Sequence, residues 1–208
     1  MFSLQTIFGK GDKFYALLEQ SADAALESAK ALHALLTQAD HAPVMAEFAA
    51  ARAREKALAG KISEELVNTF VTALDREDIE ALNSALYKIP KTVEKFAERY
   101  DIVAFRLEGV DFGQRALVLE RSCAVVREMI GELRRLHIDP MKKLQDRLQT
   151  LESEGDRMLL TPYRTLYVEA NDAMRAMLAK DLFELLEKAI DRCRDVGNIV
   201  YSIVLKHS

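Results

Sequence analysis

The stretch that decides the fold is residues 181–204, DLFELLEKAIDRCRDVGNIVYSIV. Its apolar residues recur at alternating steps of four and three: Leu182, Leu186, Ala189, Cys193, Val196, Val200 and Ile203. Such spacing puts one apolar stripe along a helix and predicts packing against other helices. Two earlier series have the same rhythm: Leu18, Ala22, Ala25, Ala29, Leu32, Leu36, and Ala116, Leu119, Cys123, Val126, Ile130, Leu133. We therefore predict an all-α protein.

Six helices are predicted, over about 13–39, 43–72, 76–104, 113–136, 140–178 and 181–206. Their starts are marked by a proline or an acidic residue, both of which suit a first helical turn: Pro43, Asp75, Asp139 and Asp181. Gly109 and Gly113 mark a break between two halves. We expect a single domain over 1–208, elongated, made of two pseudo-symmetric antiparallel three-helix bundles: a first repeat at about 13–104 and a second at about 113–206.

Composition excludes several classes of protein. Half of the 208 residues are hydrophobic, which is enough for a buried core and too many for a disordered chain. There are 33 acidic against 29 basic residues, so no polyanion-binding surface and no nucleic-acid partner are expected. The first residues lack the basic and long apolar regions of a signal peptide. We expect a soluble, cytoplasmic protein.

The motifs of catalysis are missing from the sequence. The four histidines do not form Glu-x-x-His or His-Glu-x-x-His, and no phosphate-binding glycine loop is present. Cys123 and Cys193 fall in apolar series, where a buried thiol is expected rather than a nucleophile. We predict that the protein is not an enzyme and has no catalytic residues.

Acidic residues at helical spacing form the one candidate site. Glu152 and Asp156 are four residues apart, and so are Glu187, Asp191 and Asp195 in turn. If the last two helices lie antiparallel, the two groups converge on one surface. Carboxylate oxygens suit magnesium, calcium, manganese or iron. The alternative is a solvated acidic face whose charges pair with nearby arginines, Arg192 and Arg194.

Several segments resemble PhoU-like proteins, and more narrowly the branch of phosphate transport regulators or Pit accessory proteins. The first is Phe70-Val71-Thr72-x-x-Asp75-Arg76-Glu77-Asp78-Ile79, followed by Leu82. The others are Glu152-x-x-Gly155-Asp156, Lys180-Asp181-Leu182-x-x-Leu185-Leu186-Glu187-x-x-x-Asp191-Arg192-Cys193-x-Asp195-Val196, and Ile203-Val204-Leu205-Lys206. Together they cover nearly the whole chain in the order of the family.

The resemblance implies a cytoplasmic accessory protein that controls inorganic phosphate uptake by binding a Pit-type phosphate permease or a phosphate-signalling protein. It also implies that the second bundle binds iron, manganese or magnesium, through Glu152, Asp156, Glu187, Asp191 and Asp195. The first half departs from the family pattern, because residues 56–62 (KALAGKI) and 86–91 (LYKIPK) carry lysines where acids are expected. We predict no metal in the first half.

Two other functions compete with this prediction. One is a metal-dependent phosphate hydrolase, which the missing histidine and nucleophile argue against. The other is a helical scaffold or interaction protein without a phosphate role. The apolar start of the chain, with Phe2, Leu4, Ile7 and Phe8, is expected to dock on the body or to contact a partner or the inner face of the membrane. A homodimer is also compatible with the long helices.

Overall fold

The computed structural model describes residues 4–37, 45–158, 164 and 172–207, and side chains from Asp12 onward. Within these ranges the chain forms six α-helices and no strand: α1 Leu4–Thr37, α2 Met45–Asn68, α3 Arg76–Val103, α4 Gly113–Glu132, α5 Ile138–Arg157 and α6 Ala173–Lys206. Single 3-10 turns, Ala104–Arg106 and Leu133–Arg135, follow α3 and α4. The all-α class is confirmed. None of the described helices combines the length and the apolar character needed to cross a membrane.

Two helix starts differ from the prediction. Helix α1 begins at Leu4 rather than near residue 13. Helix α6 begins at Ala173, not at Asp181, because Asp172 caps it: the Asp172 Oδ1 accepts the backbone N–H of Arg175 at 2.9 Å. The fifth helix, predicted to run to about residue 178, ends at Arg157. Residues 173–180 belong to α6 and continue its buried stripe. Because a proline inside a helix favours a kink, the sequence also predicts one at Pro162, which lies outside the described residues.

Cross-helix pairs show that neighbouring helices run antiparallel, as predicted. Lys13 near the start of α1 pairs with Glu65 near the end of α2. Lys206 at the end of α6 bonds both carboxylate oxygens of Asp78 at the start of α3, at 2.7 and 3.0 Å. Because early residues meet late residues, the loop between α2 and α3 lies at the same end of the molecule as the end of α6. We call this the α2–α3 end.

The apolar stripes form the core. Every residue of the three series is buried except Leu36, which is half-buried. Helices α1, α2 and α3 pack on one another, and so do α4, α5 and α6, which gives the two predicted groups of three. Contacts of α1 with α4 and of α3 with α6 join the groups. The exact bounds of the two repeats stay a prediction.

An aromatic cluster strengthens the junction between α3 and α6. The ring of Phe112, which precedes α4, lies 5.8 Å from the ring of Phe96 on α3 and 4.6 Å from that of Phe183 on α6, centre to centre. Separately, Cys123 on α4 and Cys193 on α6 are buried free thiols, as their place in the stripes predicts. Their sulfurs lie 3.6 Å apart.

One acidic residue lies inside the first group of helices. Glu55 on α2 is fully buried, and its Oε1 accepts a 2.6 Å hydrogen bond from the Ser21 hydroxyl on α1. Its Oε2 has no partner among the described residues. Burial raises the pKa of Glu55 to about 7, although the hydrogen bond from Ser21 and the charge of Arg52 oppose the rise. At neutral pH the fold therefore carries a carboxyl that resists ionisation.

Glu55→Gln is expected to remove a pH-dependent loss of stability. In the unfolded chain the Glu55 carboxyl has the ordinary glutamate pKa of 4.5, whereas in the folded chain burial raises its pKa to about 7. The wild-type free energy of unfolding therefore falls as pH rises through this window and levels off above it. Glu55→Gln should exceed wild type by about 3 kcal/mol at pH 8 and by less than about 1 kcal/mol at pH 5. Urea unfolding at both pH values measures this.

The exposed Glu64 on the same helix provides the control, and Glu64→Gln should show no such dependence. A Glu55→Gln stability difference that stays constant from pH 5 to pH 8 contradicts the raised pKa.

Candidate functional site

The five predicted acids lie where α5 and α6 pack against each other. Gln145 Nε2 donates to Asn198 Oδ1 at 2.6 Å, and Arg194 Nη1 donates to Glu152 Oε1 at 2.5 Å. An early residue of α5 thus meets a late residue of α6, so the two helices are antiparallel. This is the arrangement that the prediction of a shared acidic surface required.

Glycines allow α5 and α6 to approach closely. A Cβ at Gly197 would lie 2.5 Å from Cδ2 of Leu148 and 2.9 Å from Oε1 of Gln145, both on α5. A Cβ at Gly155 would lie 3.1 Å from Cδ1 of Ile190 on α6. Because each helix has no side chain where the other is nearest, the acids on their flanks come within electrostatic reach.

Three of the acids influence one another. Burial raises the pKa of Glu187, the charge of Arg115 opposes this, and the charges of Asp156 and Asp191 add to the rise. Burial likewise raises the pKa of Asp191, with Arg194 opposing and Asp156 adding. Asp156 on α5 therefore acts on both α6 carboxylates across the helix contact. We call Asp156, Glu187 and Asp191 the acidic triad.

The other two predicted acids are held by arginines. Glu152 accepts from Arg194, and Asp195 accepts from Arg192 Nη1 at 2.8 Å. The alternative interpretation of these residues, as members of ion pairs with Arg192 and Arg194, is thus realised for Glu152 and Asp195. A shallow depression of about 400 Å³ in this surface is lined by both signs of charge: Glu184, Glu187, Lys188, Asp191, Arg192, Arg194 and Asp195.

Sequence reasoning missed Arg115. This residue lies on α4 and is 2% exposed, and its charge opposes the rise that burial causes in the pKa of Glu187. The available signal was the position of Arg115 directly before Ala116, where an apolar series begins. A charged residue at the start of a buried stripe is rarely buried without an opposite charge nearby, so the position indicates an acidic partner. Arg115 places a buried positive charge beneath the acidic triad.

The chemistry of the triad suits a hard cation. Its donors are carboxylate oxygens, and a cation would relieve the mutual repulsion that Asp156 imposes on Glu187 and Asp191. Against this, Arg115 and Arg194 already supply positive charge at the same place. The triad therefore supplies donor atoms of the right kind, but in this structure they are not gathered closely enough to form a ligand group, and Glu152 and Asp195 have to leave their arginines before they can join it.

A different trio has the tightest grouping of potential metal ligands in the described part of the chain. One ligand atom each from Asp75, Asp78 and His207 lie within 4.8 Å of one another. The ammonium of Lys206 sits on both oxygens of Asp78, and the trio lies at the positive N-terminal end of α3. An internal cation thus already occupies Asp78, one of the three potential ligands.

The corresponding surface of the first half is basic. The guanidinium of Arg52 lies 3.8 Å from the ring centre of Tyr87 and 3.5 Å from Oε2 of Glu94. The same two helices carry further lysines near this pair in the sequence: Lys56 and Lys61 on α2, and Lys88 and Lys91 on α3. That the first half binds no metal stays a prediction.

Solved structures of PhoU-like proteins have the same arrangement of helices. The crystal structure of a PhoU-like protein from Shewanella oneidensis MR-1 superposes with a TM-score of 0.80 and covers 92% of this chain and 99% of that chain, at 16% identity. A second PhoU-like structure from the same organism gives a TM-score of 0.81, covering 93% of this chain and 99% of its own, also at 16% identity. The chain has the PhoU-like fold. The resemblance seen in the sequence is confirmed at this level.

Sequence relatives are distant in identity but extensive in alignment. The "Putative pit accessory protein" of Rhizobium meliloti (strain 1021) is 23% identical over an alignment of 210 positions that covers 94% of each chain. The UPF0111 protein YkaA of Bacillus subtilis (strain 168) is 22% identical over 148 residues, 70% of this chain and 71% of that one. No protein-family model matches the sequence.

Gly197→Ala tests the close contact that brings the PhoU-like helices α5 and α6 together. The added methyl group collides with Leu148 and with Gln145, so we expect the free energy of unfolding to fall by about 1–2 kcal/mol. The matched change Gly60→Ala adds a methyl group in open space on α2 and should raise stability by about 0.5–1 kcal/mol. Equal shifts for both variants in chemical denaturation would show that α5 and α6 are not in tight contact.

Proposed function

We propose that this chain is a cytoplasmic accessory protein that regulates inorganic phosphate uptake by binding a phosphate permease or a phosphate-signalling protein. The observation that carries the proposal is the PhoU-like fold over more than nine-tenths of the chain. The name of the pit accessory protein, a relative that aligns over 94% of both chains, supports the link to phosphate transport.

Action by binding, rather than by turnover, agrees with the side chains at the candidate site. Within the described residues, the thiols are buried at α4 and α6, and His33 bonds Glu120 at 2.6 Å on the α1–α4 contact. Cys193 lies between Asp191 and Asp195 in the sequence, but its thiol is fully buried against Cys123 in the core. A hydrolytic site would need a nucleophile or base beside its metal position.

The direct test is phosphate uptake in a strain that lacks the gene. We expect the initial rate of labelled phosphate uptake to change in the deletion strain and to return to the parental value when the wild-type gene is restored. The measurement is made at low and at high external phosphate, with an empty vector as the control. Uptake that is unchanged at both concentrations would favour the helical scaffold without a phosphate role. Homodimer formation and contact with the membrane surface stay predictions.

As a second candidate function, we propose that the second bundle binds iron, manganese or magnesium through the acidic triad, with Glu152 and Asp195 as further ligands once their arginines are displaced. Support comes from the donor chemistry and from the repulsion within the triad. The bound ion would neutralise this surface and so alter which partner it fits. Arg192 and Arg194 would then be released toward solvent.

Cation titration of the purified protein tests this site. Asp156→Asn/Asp191→Asn should weaken binding of manganese or iron at least tenfold in isothermal titration calorimetry, because two anionic ligands are lost. The control, Glu94→Gln/Glu98→Gln, also removes two neighbouring acids, which lie four residues apart on α3, where burial and the charge of Glu98 raise the pKa of Glu94. Binding that is equal in wild type and both variants would overturn the site.

A further inference from the structure

The connection between α2 and α3 presents a compact apolar surface to solvent. Phe70 in this loop is fully exposed, Val67 at the end of α2 is 82% exposed, and Val71 is 59% exposed. We call these three residues the apolar tip. They lie at the α2–α3 end of the molecule, remote from the acidic triad, and the functions proposed above make no use of them.

The loop that carries the tip is firmly held. Arg76, the first residue of α3, donates from Nη1 to the carbonyl of Thr69 at 2.6 Å and from Nη2 to the carbonyl of Leu66. The Thr72 hydroxyl donates to the carbonyl of Leu74 at 2.6 Å, and the side chain of Leu74 is buried in the core. Phe70 is therefore exposed on an ordered loop, and docking it needs little further ordering of the backbone.

The surroundings of the tip are anionic. Asp75 and Glu77 at the start of α3 are exposed, and together with Asp78 they raise the pKa of Lys206, for which the hydrogen bond to Asp78 is the largest cause. Glu64 is exposed one turn before the tip. Three of the cations near this end have internal partners: Lys13 with Glu65, Lys206 with Asp78, and Arg76 with the loop carbonyls.

An apolar tip with anionic surroundings favours some binding partners over others. Anionic lipid headgroups would be repelled by Asp75 and Glu77. A second copy meeting the same patch would bring like charges together. A partner segment with basic residues beside apolar ones is complementary in both respects. Segments of membrane proteins that face the cytoplasm are enriched in Lys and Arg and adjoin apolar helices.

We propose that the apolar tip, with Glu64, Asp75 and Glu77 around it, is the surface that docks on a Lys/Arg-rich cytoplasmic segment of the membrane protein that this chain regulates. The inference rests on the proposed function and names the part of the chain that makes the contact. Phe70 and Val71 enter an apolar recess of the partner, and the acids hold its basic residues and orient the approach.

Binding to membrane vesicles tests the apolar part. The probes are inside-out vesicles that carry a Pit-type phosphate permease, matched vesicles without it, and liposomes of the extracted lipids. Phe70→Ser/Val71→Ser should lose tenfold or more in affinity for the permease vesicles in a co-sedimentation assay. The control Ile102→Ser/Phe105→Ser removes comparably exposed apolar side chains at the opposite end of α3 and should stay within twofold of wild type. All four residues are exposed, so unchanged melting temperatures are expected and show that the variants fold.

A second arm tests the charges. Glu64→Gln/Glu77→Gln should weaken binding about three- to tenfold and make it less sensitive to salt, since two anionic contacts are lost. The control Glu98→Gln/Asp101→Asn removes two exposed acids near the far end of α3 and should leave both quantities unchanged. The same variants are measured against a peptide rich in Lys, Arg, Leu and Phe by fluorescence anisotropy.

The outcomes separate this inference from the proposed function. If wild type prefers permease vesicles and Phe70→Ser/Val71→Ser binds them equally well, the docking surface is wrong and the proposed function stands. If wild type shows no preference for permease vesicles, the permease is not the partner, and the affinity for the peptide becomes the test. Equal affinity of wild type and Phe70→Ser/Val71→Ser for the peptide overturns the inference. A lower affinity of the variant supports docking on a different membrane protein. Tip-dependent binding to plain liposomes, or tip-dependent dimerisation in sedimentation velocity, also overturns it.

Discussion

Each helix of this protein has an apolar stripe that it cannot bury alone. The stripe of α6, which includes Leu186, Cys193 and Val200, is covered from different sides by α3, α4 and α5. Burial of large apolar side chains is the main source of stability in such a fold, at about 1.5–3 kcal/mol for each one. The antiparallel order, the meeting of α5 with α6 and the common end of the α2–α3 loop and α6 all follow from satisfying these stripes together. The functional surfaces are what remains on the outside of this arrangement.

The regular part of the structure could be predicted from the sequence, because a repeat of three and four residues has one structural solution. The buried positions of Leu18, Ala116 and Leu182 and the burial of both cysteines belong to this part. The start of α6 could not be predicted from Asp181, because an acidic residue suits a first turn and an exposed helix face equally. Only the observed hydrogen bond at Asp172 shows which of the two aspartates caps the helix.

The candidate site was predictable in its members but not in its electrostatics. Helical spacing placed Glu187 and Asp191 on one face, and antiparallel packing brought Asp156 to them. The buried charge of Arg115 comes from a third helix, and the close approach at Gly197 depends on side chains of α5. Both are long-range features that no local pattern contains. The pairing of Glu152 with Arg194 likewise depends on which side chains of α6 lie next to α5 in the folded chain.

Glu55 gives the fold a link to proton activity. Near pH 6 its carboxyl is mostly protonated inside the bundle and mostly ionised in the unfolded chain, since burial raises its pKa to about 7. Folding of the first three helices at this pH thus takes up most of one proton from solution. The heat of unfolding consequently includes the ionisation heat of the buffer that accepts that proton, and the balance between folded and unfolded chain responds to acidification in the opposite sense to that of a protein held together by ionised carboxylates.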